Sequence, residues 1–361
     1  MRIACVAYLH GFGGAERQII ELSNQMAVRG HEVHLIILAE DKICYNLNSE
    51  VKIHSLVESE TGRGLLRIYR RRKALLALLK GLHCDITVNF NLQSAYLLAF
   101  ENKKKIGKII YSERGDPGDK EYTGLLGLVR SFTLSHIDGF VFQSEGARDY
   151  FKNSHVLNNC IVIPNACFLK PQKPFAGTRR KIIANVGRLS EQKNQALLIC
   201  AFSMISGVFP DYNLEIYGEG ELKNSLNELV KEMNLTQRVF FKGACKDVLD
   251  RIKDVSLFVL SSDYEGIPNA LIEAMAIGLP CISTDCKPGG ARTLIKNGYN
   301  GIITSRGNAD ELSEAMRRLL IDVSYAAKIG DNARAVAEVL SPVSIYNEWE
   351  NFLLGIVNNK A

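Results

Sequence analysis

Residues 1–38 read MRIACVAYLHGFGGAERQIIELSNQMAVRGHEVHLIIL, and the order of patterns in this stretch decides the fold. The apolar run Ile3–Leu9 has the length of a buried strand, and the loop His10–Gly14 ends it. Apolar residues then recur at helical spacing across Ile19–Met26, and a second apolar run follows at Val33–Leu38. A strand, a helix and a strand in this order predict a parallel pair joined by a right-handed crossover.

The same alternation runs through the rest of the chain. Further strand-like runs lie at Ile86–Val88, Lys108–Ser112, Gly139–Gln143, Ile182–Val186, Leu214–Tyr217, Val239–Lys242, Leu257–Leu260 and Cys281–Thr284, and helical patterns at Gln195–Ile205, Leu222–Met233 and Ala270–Ala276. Three prolines between Ile163 and Arg180 interrupt the alternation and predict a linker. We therefore predict an α/β fold with two doubly wound parallel-sheet domains, residues 1–165 and 181–341, joined by a linker at 166–180. Ligands of such sheets bind beyond the carboxyl ends of the strands.

Composition narrows the class of protein. A chain of 361 residues exceeds one compact core, which agrees with two domains. The net charge of +5 allows an acidic ligand or an anionic surface but does not demand a nucleic-acid partner. The nine cysteines are odd in number and lack Cys-x-x-Cys spacing, so we expect a reducing compartment and no structural zinc site. No run approaches eighteen apolar residues, and we expect a cytoplasmic protein.

The first motif is the glycine loop Gly11–Arg17, between the first strand and the first helix. Glycines let the amides of Gly13 and Gly14 approach a ligand, and a helix N-terminus favours an anion. The dinucleotide fingerprint requires a third glycine where Glu16 stands, which disfavours a nicotinamide-dependent dehydrogenase. A plain tight turn remains an alternative.

The second motif is Val186–Asn194, at the end of the first strand of the second domain. It places Arg188 and Lys193 five residues apart at a strand-to-helix turn. A guanidinium can bind phosphate oxygens in pairs, and an ammonium adds a compact positive charge. Two solvated basic side chains on a loop are the alternative interpretation.

The third motif, Tyr264–Ala276, follows an apolar strand and continues into an apolar helix. Pro268 near the helix start leaves the amides of Asn269–Leu271 to face an anion. Glu273 lies one turn inside the helix, where a carboxylate can accept hydrogen bonds from a vicinal diol such as ribose. Glu265 lies in the loop. A carboxylate near a diphosphate requires specific donors, so this pair favours a binding site over a purely structural role.

Together with Gly218-Glu219-Gly220 after a strand and Gly278-x-Pro280 after the helix, these motifs resemble the family-4 retaining glycosyltransferases of GT-B fold. The resemblance covers essentially the whole chain and extends to bacterial enzymes that elongate lipid-linked glycans. It implies two Rossmann-like domains facing a central cleft. It also implies that a C-terminal helix at about 342–361 packs back on the first domain.

The resemblance also implies roles for single residues. Arg188 and Lys193 neutralise the leaving diphosphate of the donor, and Glu265 contacts the transferred sugar. Glu273 holds the ribose. The other implied donor-binding positions are Gly13, Gly14, Gly187, Gly218, Asn269, Ala270 and Leu271. Many relatives place a histidine in the first-domain loop that this chain fills with Ser112–Pro117. The candidate contacts to the sugar or acceptor are therefore Glu16, Glu113, Arg114 and Asp116, with a surface role for Arg114 as the alternative.

The implied reaction moves a hexose or N-acetylhexosamine from a UDP-sugar to a hydroxyl of a glycan or lipid-linked glycan, with retention. We expect no cofactor and no metal, because no Asp-x-Asp motif lies near a strand end of the second domain. The alternatives are a GDP-mannose-dependent mannosyltransferase and an inactive sugar-nucleotide-binding module.

A basic segment points to a membrane. The segment from Arg63 to Lys80 contains seven basic residues, no acid and many interleaved leucines, and a lysine cluster follows at Lys103–Lys108. A basic amphipathic helix is typical of a surface that binds anionic lipid. We therefore expect a polyprenyl-linked acceptor and peripheral binding at the inner face of the membrane, with a solvated helix as the alternative.

Overall fold

The computed structural model describes residues 1–9, 13–38, 43–57, 64–118, 124–152, 155–171 and 173–358. The chain forms two compact units, one comprising Met1–Asn165 with Val343–Ala361 and the other Ala166–Pro342. Residues 166–180, which the sequence marks as a linker, group with the second unit, where the amide of Cys167 donates to the carbonyl of Leu340 at 2.7 Å. Each unit contains one parallel sheet flanked by helices, and the predicted fold class is confirmed.

The sheet of the first unit has seven parallel strands in the order β3-β2-β1-β4-β5-β6-β7. The strands are β1 (Arg2–Ala7), β2 (Glu32–Ile37), β3 (Lys52–Ser55), β4 (Ile86–Asn89), β5 (Lys108–Glu113), β6 (Gly139–Phe142) and β7 (Cys160–Val162). The chain reverses direction across the sheet between β1 and β4, which makes that edge the switch point where ligands bind in such folds.

Right-handed crossovers divide the helices of the first unit between the two faces of its sheet. The helices are α1 (Gly14–Val28), α2 (Gly64–Leu82), α3 (Leu92–Leu98), α4 (Lys103–Ile106), α5 (Gly124–Leu134) and α6 (Glu145–Asp149). From α2 onward every crossover runs in the same direction, so α2 to α6 share one face. Leu75 and Leu79 of α2, Leu98 of α3 and Leu134 of α5 pack there in one core cluster.

The last helix, numbered α15 (Pro342–Asn358), belongs almost entirely to the first unit, although the whole second unit precedes it in the chain. Its Trp349 is buried and stacks on Phe90, with ring centroids 5.8 Å apart. A Cβ atom added to Gly139 on β6 would lie 3.0 Å from Phe352 Cζ. The helix therefore packs directly on the strand, at a position where only a glycine leaves enough room.

The sheet of the second unit has six parallel strands in the order β10-β9-β8-β11-β12-β13. They are β8 (Arg180–Val186), β9 (Asn213–Tyr217), β10 (Val239–Gly243), β11 (Val255–Leu260), β12 (Cys281–Thr284) and β13 (Ile302–Thr304). The helices are α7 (Gln195–Ser206), α8 (Lys223–Glu232), α9 (Val248–Ile252), α10 (Asn269–Ala276), α11 (Gly290–Leu294), α12 (Ala309–Ile321), α13 (Val323–Ala333) and α14 (Val336–Val339). The switch point lies between β8 and β11.

The nine cysteines are all free thiols. Among the helices of the described residues, none combines the length and apolar character needed to cross a membrane.

Candidate functional site

The strongest candidate site lies at the carboxyl edge of the second sheet, at its switch point. The loop after β8 carries Arg188 and Lys193, and the loop after β11 carries Glu265. Because β8 and β11 are neighbours in the sheet, their carboxyl ends bring these two loops together. Two sequence motifs separated by about 70 residues thus converge at the edge where doubly wound sheets bind their ligands.

A buried ion pair joins the two loops. Lys193 Nζ contacts Glu265 Oε1, and both side chains are largely buried. Ser262 Oγ donates to the same Oε1 at 2.8 Å. Glu265 Oε2 has no hydrogen-bond partner within the described part of the chain, although the residue is only 8% exposed. One oxygen is therefore held by the protein, and the other can accept a hydrogen bond from a ligand hydroxyl.

Asn194 fixes the position of Lys193. Its backbone is left-handed, with φ of 44°, and its side chain accepts from the amide of Leu197 to cap α7. Its amide group donates to Asp263 Oδ2 at 3.1 Å, and Ser261 Oγ donates to the carbonyl of Lys193 at 2.9 Å. The site therefore depends on polar residues of the two loops, Asn194, Ser261 and Asp263, to which the sequence motifs assign no role.

Arg188 differs from Lys193 in its environment. Its side chain is exposed, and its guanidinium makes no hydrogen bond or ion pair with any described residue. Its main chain is held, because Gln195 Nε2 donates to the carbonyl of Arg188 at 2.9 Å. The guanidinium of Arg188 is thus unpaired among the described residues and stands on an anchored loop, which suits it to binding an anion from solution.

Gly218 allows the loop after β9 to approach the loop after β8. It has φ of +143°, and a Cβ atom there would lie 1.9 Å from the carbonyl oxygen of Gly187. At Gly220 a Cβ atom would lie 2.2 Å from the carbonyl oxygen of Leu189. The two loops also bond through their main chains, since Leu189 N donates to Glu219 O at 3.0 Å. Gly187 and Gly218 therefore shape the Arg188 loop through backbone packing.

We expect Gly218→Ala to lower the stability of the second unit by at least about 1–3 kcal/mol, the typical cost of a strained backbone position. The clash with Gly187 should also displace Arg188 and reduce activity. Differential scanning calorimetry and an activity assay test both effects. Gly307→Ala is the matched control, because Gly307 also has a positive φ of 72° but has nothing within 4 Å of its missing Cβ atom. Equal melting temperatures for the two variants would contradict the role of close packing.

Helix α10 begins at Asn269, after Pro268 as its N-cap residue. The amide of Leu271 donates to the carbonyl of Pro268 at 3.0 Å, so it is already bonded within the chain, and the phosphate contact expected at Leu271 stays a prediction. The amide of Ala270 has no acceptor among the described residues. Glu273 lies partly buried within the helix, and Asn269 and Ala270 are also partly exposed. The helix thus offers an anion the amide of Ala270 in its first turn.

The loop after β12 holds the Glu265 loop from the other side. The amide of Glu265 donates to the carbonyl of Lys287 at 2.6 Å, and the amide of Lys287 donates to the carbonyl of Asp263 at 3.0 Å. Cys286 is buried nearby, and burial raises the pKa of its thiol to about 12. That thiol is neutral at physiological pH, so it is a poor nucleophile beside Glu265.

The glycine loop of the first unit is described from Gly13 onward, and Gly11 and Phe12 lie outside the described residues. Gly13 precedes α1, and its amide donates to Glu16 Oε2 at 3.1 Å. Glu16 therefore caps the helix, which is a structural role that we did not predict. Gly14 is exposed in the first turn of α1, and its amide has no acceptor among the described residues.

Glu113 forms a buried ion pair with Arg130 of α5, a residue that lies outside all the sequence motifs. Arg130 Nη2 lies 3.1 Å from Glu113 Oε2, and both side chains are 5% exposed. Tyr111 also donates to Glu113 Oε2, and Gly115 N donates to Oε1. Both carboxylate oxygens are therefore used within the protein, which disagrees with a direct contact between Glu113 and substrate. One sequence feature could have indicated that Arg130 is buried and paired: it is the only charged residue of α5.

Arg114 lies beside that pair and has no carboxylate within ion-pairing distance among the described residues. Its guanidinium stacks 3.9 Å from the Phe90 ring centroid, and its Nη1 donates to Asn165 Oδ1 at 3.0 Å. Burial lowers the pKa of the guanidinium to about 9, so it is still a cation at neutral pH. Asp116 is partly exposed and accepts from the amide of Gly118 at 2.9 Å. Arg114 itself is half-buried, with its guanidinium packed on Phe90, and a contact with sugar or acceptor stays a prediction.

The described residues contain no group of three or more His, Cys, Asp or Glu side chains arranged to hold a metal ion.

Two family models match successive parts of the chain. The model described as Glycosyltransferase Family 4 matches residues 12–167, and the model described as Glycosyl transferases group 1 matches residues 169–336. These boundaries meet where the first unit gives way to the second.

Individual proteins match along nearly the whole chain. An uncharacterized glycosyltransferase of Haemophilus influenzae is 27% identical and covers 94% of this chain and 96% of its own length. The Campylobacter jejuni N-acetylgalactosamine-N,N'-diacetylbacillosaminyl-diphospho-undecaprenol 4-alpha-N-acetylgalactosaminyltransferase is 28% identical, over 98% of this chain and 100% of that protein. Among solved structures, a mutant of S. aureus TarM in complex with fondaparinux, alpha-GlcNAc-glycerol and UDP superposes with a TM-score of 0.81. It is 16% identical and covers 98% of this chain and 100% of that chain.

Proposed function

Because the chain is a glycosyltransferase of the GT-B type, we propose that it transfers a hexose or an N-acetylhexosamine from a UDP-sugar, with retention, to a hydroxyl of a glycan or lipid-linked glycan. The observation that carries this proposal is the joining of Lys193 to Glu265 at the switch point of the second sheet, beside the unpaired Arg188. An anionic diphosphate and a hydroxyl-rich sugar require these two kinds of group next to each other. The UDP bound to TarM supports the choice of nucleotide.

We assign the groups of the site as follows. Arg188 binds the diphosphate through its free guanidinium, and the first-turn amide of Ala270 contributes a further donor. Glu265 Oε2 accepts from a hydroxyl of the transferred sugar while Lys193 and Ser262 hold Oε1. Glu273 binds the ribose. The contribution of Gly13 and Gly14 from the first unit stays a prediction.

In the proposed reaction, the bond between the anomeric carbon and the β-phosphate oxygen breaks as the acceptor hydroxyl approaches from the same face. The hydroxyl oxygen bonds to the anomeric carbon, and its proton passes to the departing phosphate. Negative charge therefore grows on the diphosphate, where a preorganised cation lowers the barrier most. Lys193 has a second task besides neutralising the diphosphate, because its ammonium contacts Glu265 Oε1 and orients that carboxylate.

We further propose that the acceptor is polyprenyl-linked and that the enzyme is cytoplasmic, working at the inner face of the membrane. The printed activity of the Campylobacter relative, on an undecaprenol-linked glycan, supports this acceptor class. The basic helix α2 gives weaker support than its sequence indicates. Leu75, Leu76 and Leu79 pack in the core, and Arg72 and Lys80 pair with Glu101. Among the described side chains of α2, those at positions 66–70 are all exposed, and Arg63 lies outside the described residues.

A thermal-shift panel of UDP, GDP, ADP and common UDP-sugars tests the donor. A ligand that binds the native state raises the melting temperature with the logarithm of its concentration over its Kd. We expect UDP to raise it and GDP to leave it unchanged, equally with and without a chelator. A shift with GDP alone would support a mannosyltransferase. No shift with any nucleotide would support an inactive module, and loss of the UDP shift in chelator would contradict metal independence.

A further inference from the structure

Helix α5 exposes large apolar side chains where a soluble domain normally places polar ones. Leu126, Leu128 and Phe132 are 59%, 69% and 61% exposed, and Val129 is exposed as well. The one charged residue of the helix, Arg130, is buried against Glu113. The solvent-facing side of α5 therefore has apolar side chains and no charge, which marks it as a surface for an apolar partner.

An aromatic cluster extends this surface beyond the helix. Phe100, which follows α3, is 53% exposed and stacks on Phe132 with ring centroids 5.1 Å apart. His136 packs edge-on against both rings at 4.6 and 5.1 Å. We call Phe100, Leu126, Leu128, Val129 and Phe132 the apolar patch. Its aromatic side chains support one another although they face solvent, so the patch is a preformed surface.

Basic side chains border the apolar patch. Helix α3 contacts both α5 and α2, and α2 contacts α4, so the four helices form one continuous face. Arg67 and Lys73 of α2 and Lys104 and Lys105 of α4 make no ion pair with any described residue. Two acids on this face are already paired, Glu101 with Lys80 at 3.2 Å and Asp138 with Lys103 at 2.9 Å. The border therefore has surplus positive charge.

We propose that the apolar patch inserts into the interfacial region of an anionic lipid bilayer, while the basic side chains of α2 and α4 contact lipid phosphates. The charge of the border selects this occupant. A second copy of the chain would bring two basic borders together, whereas anionic headgroups complement them. The purpose of this membrane contact rests on the proposed function, because a polyprenyl-linked acceptor is presented at such a surface. This mode of binding differs from electrostatic binding through α2 alone, because an inserted apolar patch keeps the protein on the bilayer even when charges are screened.

Vesicle flotation separates the contribution of apolar insertion from that of charge attraction. Vesicles of phosphatidylglycerol and phosphatidylcholine should bind the full chain at low salt. Part of that binding should survive about 1 M salt, where the screening length falls to about 3 Å. The double variant Leu128→Glu/Phe132→Glu should bind vesicles at least roughly ten-fold more weakly than the wild type at both salt concentrations, because two inserted side chains are lost. The double variant Ile321→Glu/Val323→Glu is the matched control. It replaces side chains of the second unit that are 60% and 68% exposed, and it should bind like the wild type.

A single-residue probe locates the contact. Phe132→Trp should emit at shorter wavelength on vesicles and be quenched by brominated lipid, while Trp349, at 2% exposure, should not be quenched. Unchanged flotation of the Leu128→Glu/Phe132→Glu variant, absence of quenching, or complete loss of wild-type binding at high salt would each overturn the proposal. The proposal would also fail if light scattering showed that the wild type forms a dimer, that the Leu128→Glu/Phe132→Glu variant does not, and that neither protein binds vesicles. The UDP thermal shift of each variant is read separately, because it tests the proposed donor site and not the membrane surface.

Discussion

The Arg188→Ala variant is expected to lose roughly 100- to 1000-fold in kcat, the usual cost of removing one preorganised donor at a developing negative charge. Its melting temperature without ligand should not change. The guanidinium is exposed and makes no ion pair within the described residues, so no partner in the folded protein loses an interaction. The same variant should need more UDP for an equal thermal shift. Steady-state kinetics and calorimetry measure these effects together.

Arg306→Ala is the matched control for this prediction. Arg306 is also exposed, also lacks an ion pair among the described residues, and follows β13 at the same carboxyl edge, but it lies at the margin of the sheet. It should keep wild-type kinetics. Near-normal turnover in Arg188→Ala would exclude the residue from the leaving-group role. Lys193→Ala gives a useful contrast, because it should lose activity on the same scale and also stability, since Glu265 would be left as a buried, unpaired carboxylate.

The Arg130→Met variant is expected to destabilise the first unit by about 3–5 kcal/mol, the usual cost of removing one partner from a buried ion pair. Glu113 would keep its bonds from Tyr111 and Gly115 but lose its counter-charge, and the carbonyl of Pro117 would lose its donor at 2.7 Å. Urea unfolding followed by tryptophan fluorescence measures this directly. The chain has one tryptophan, Trp349, and it is buried in the first unit.

Two further variants test whether the loss of the buried counter-charge is the cause of this destabilisation. Arg148→Met removes an arginine whose partners, Glu145 and Asp149, are exposed, and it should cost far less stability than Arg130→Met because solvent screens the pair. Glu113→Gln/Arg130→Met removes both charges and should recover part of the loss, because no uncompensated charge is left buried. An unfolding midpoint for Arg130→Met equal to that of Arg148→Met would show that the pair contributes nothing to stability.

The fold was largely predictable because long apolar strands have a strong local pattern. Strands β8 and β11 and the polar loops that follow them were predicted, whereas the pairing of the Arg188 and Glu265 loops follows from the strand order of the structure. The missed strands are β3, β7 and β13, which have three or four residues each and lie at or near sheet edges. A short edge strand such as β3 is mostly exposed and has no apolar run to identify it.

Site residues were less predictable when their partners are distant in sequence. Nothing local to Glu113 shows that its carboxylate meets an arginine 17 residues later. The capping role of Glu16 could have been predicted, because a glutamate three residues after the residue that precedes a helix is a known N-terminal signal. The amide of Leu271 is bonded because the chain bends tightly at Pro268, and only coordinates reveal that bond. Local patterns thus placed the motifs, and long-range pairing assigned their roles.

The position of α15 has a consequence for synthesis on the ribosome. The first unit contains residues from both sides of the second, which is one uninterrupted segment, Ala166–Pro342. Domains usually fold in the order in which they are translated. In this protein β6 and Phe90 of the first sheet stay uncovered until Trp349 and Phe352 of α15 have left the exit tunnel. The second unit, which begins later in the chain, can therefore reach its native state first. The nascent first unit keeps an uncovered apolar face until α15 has been translated.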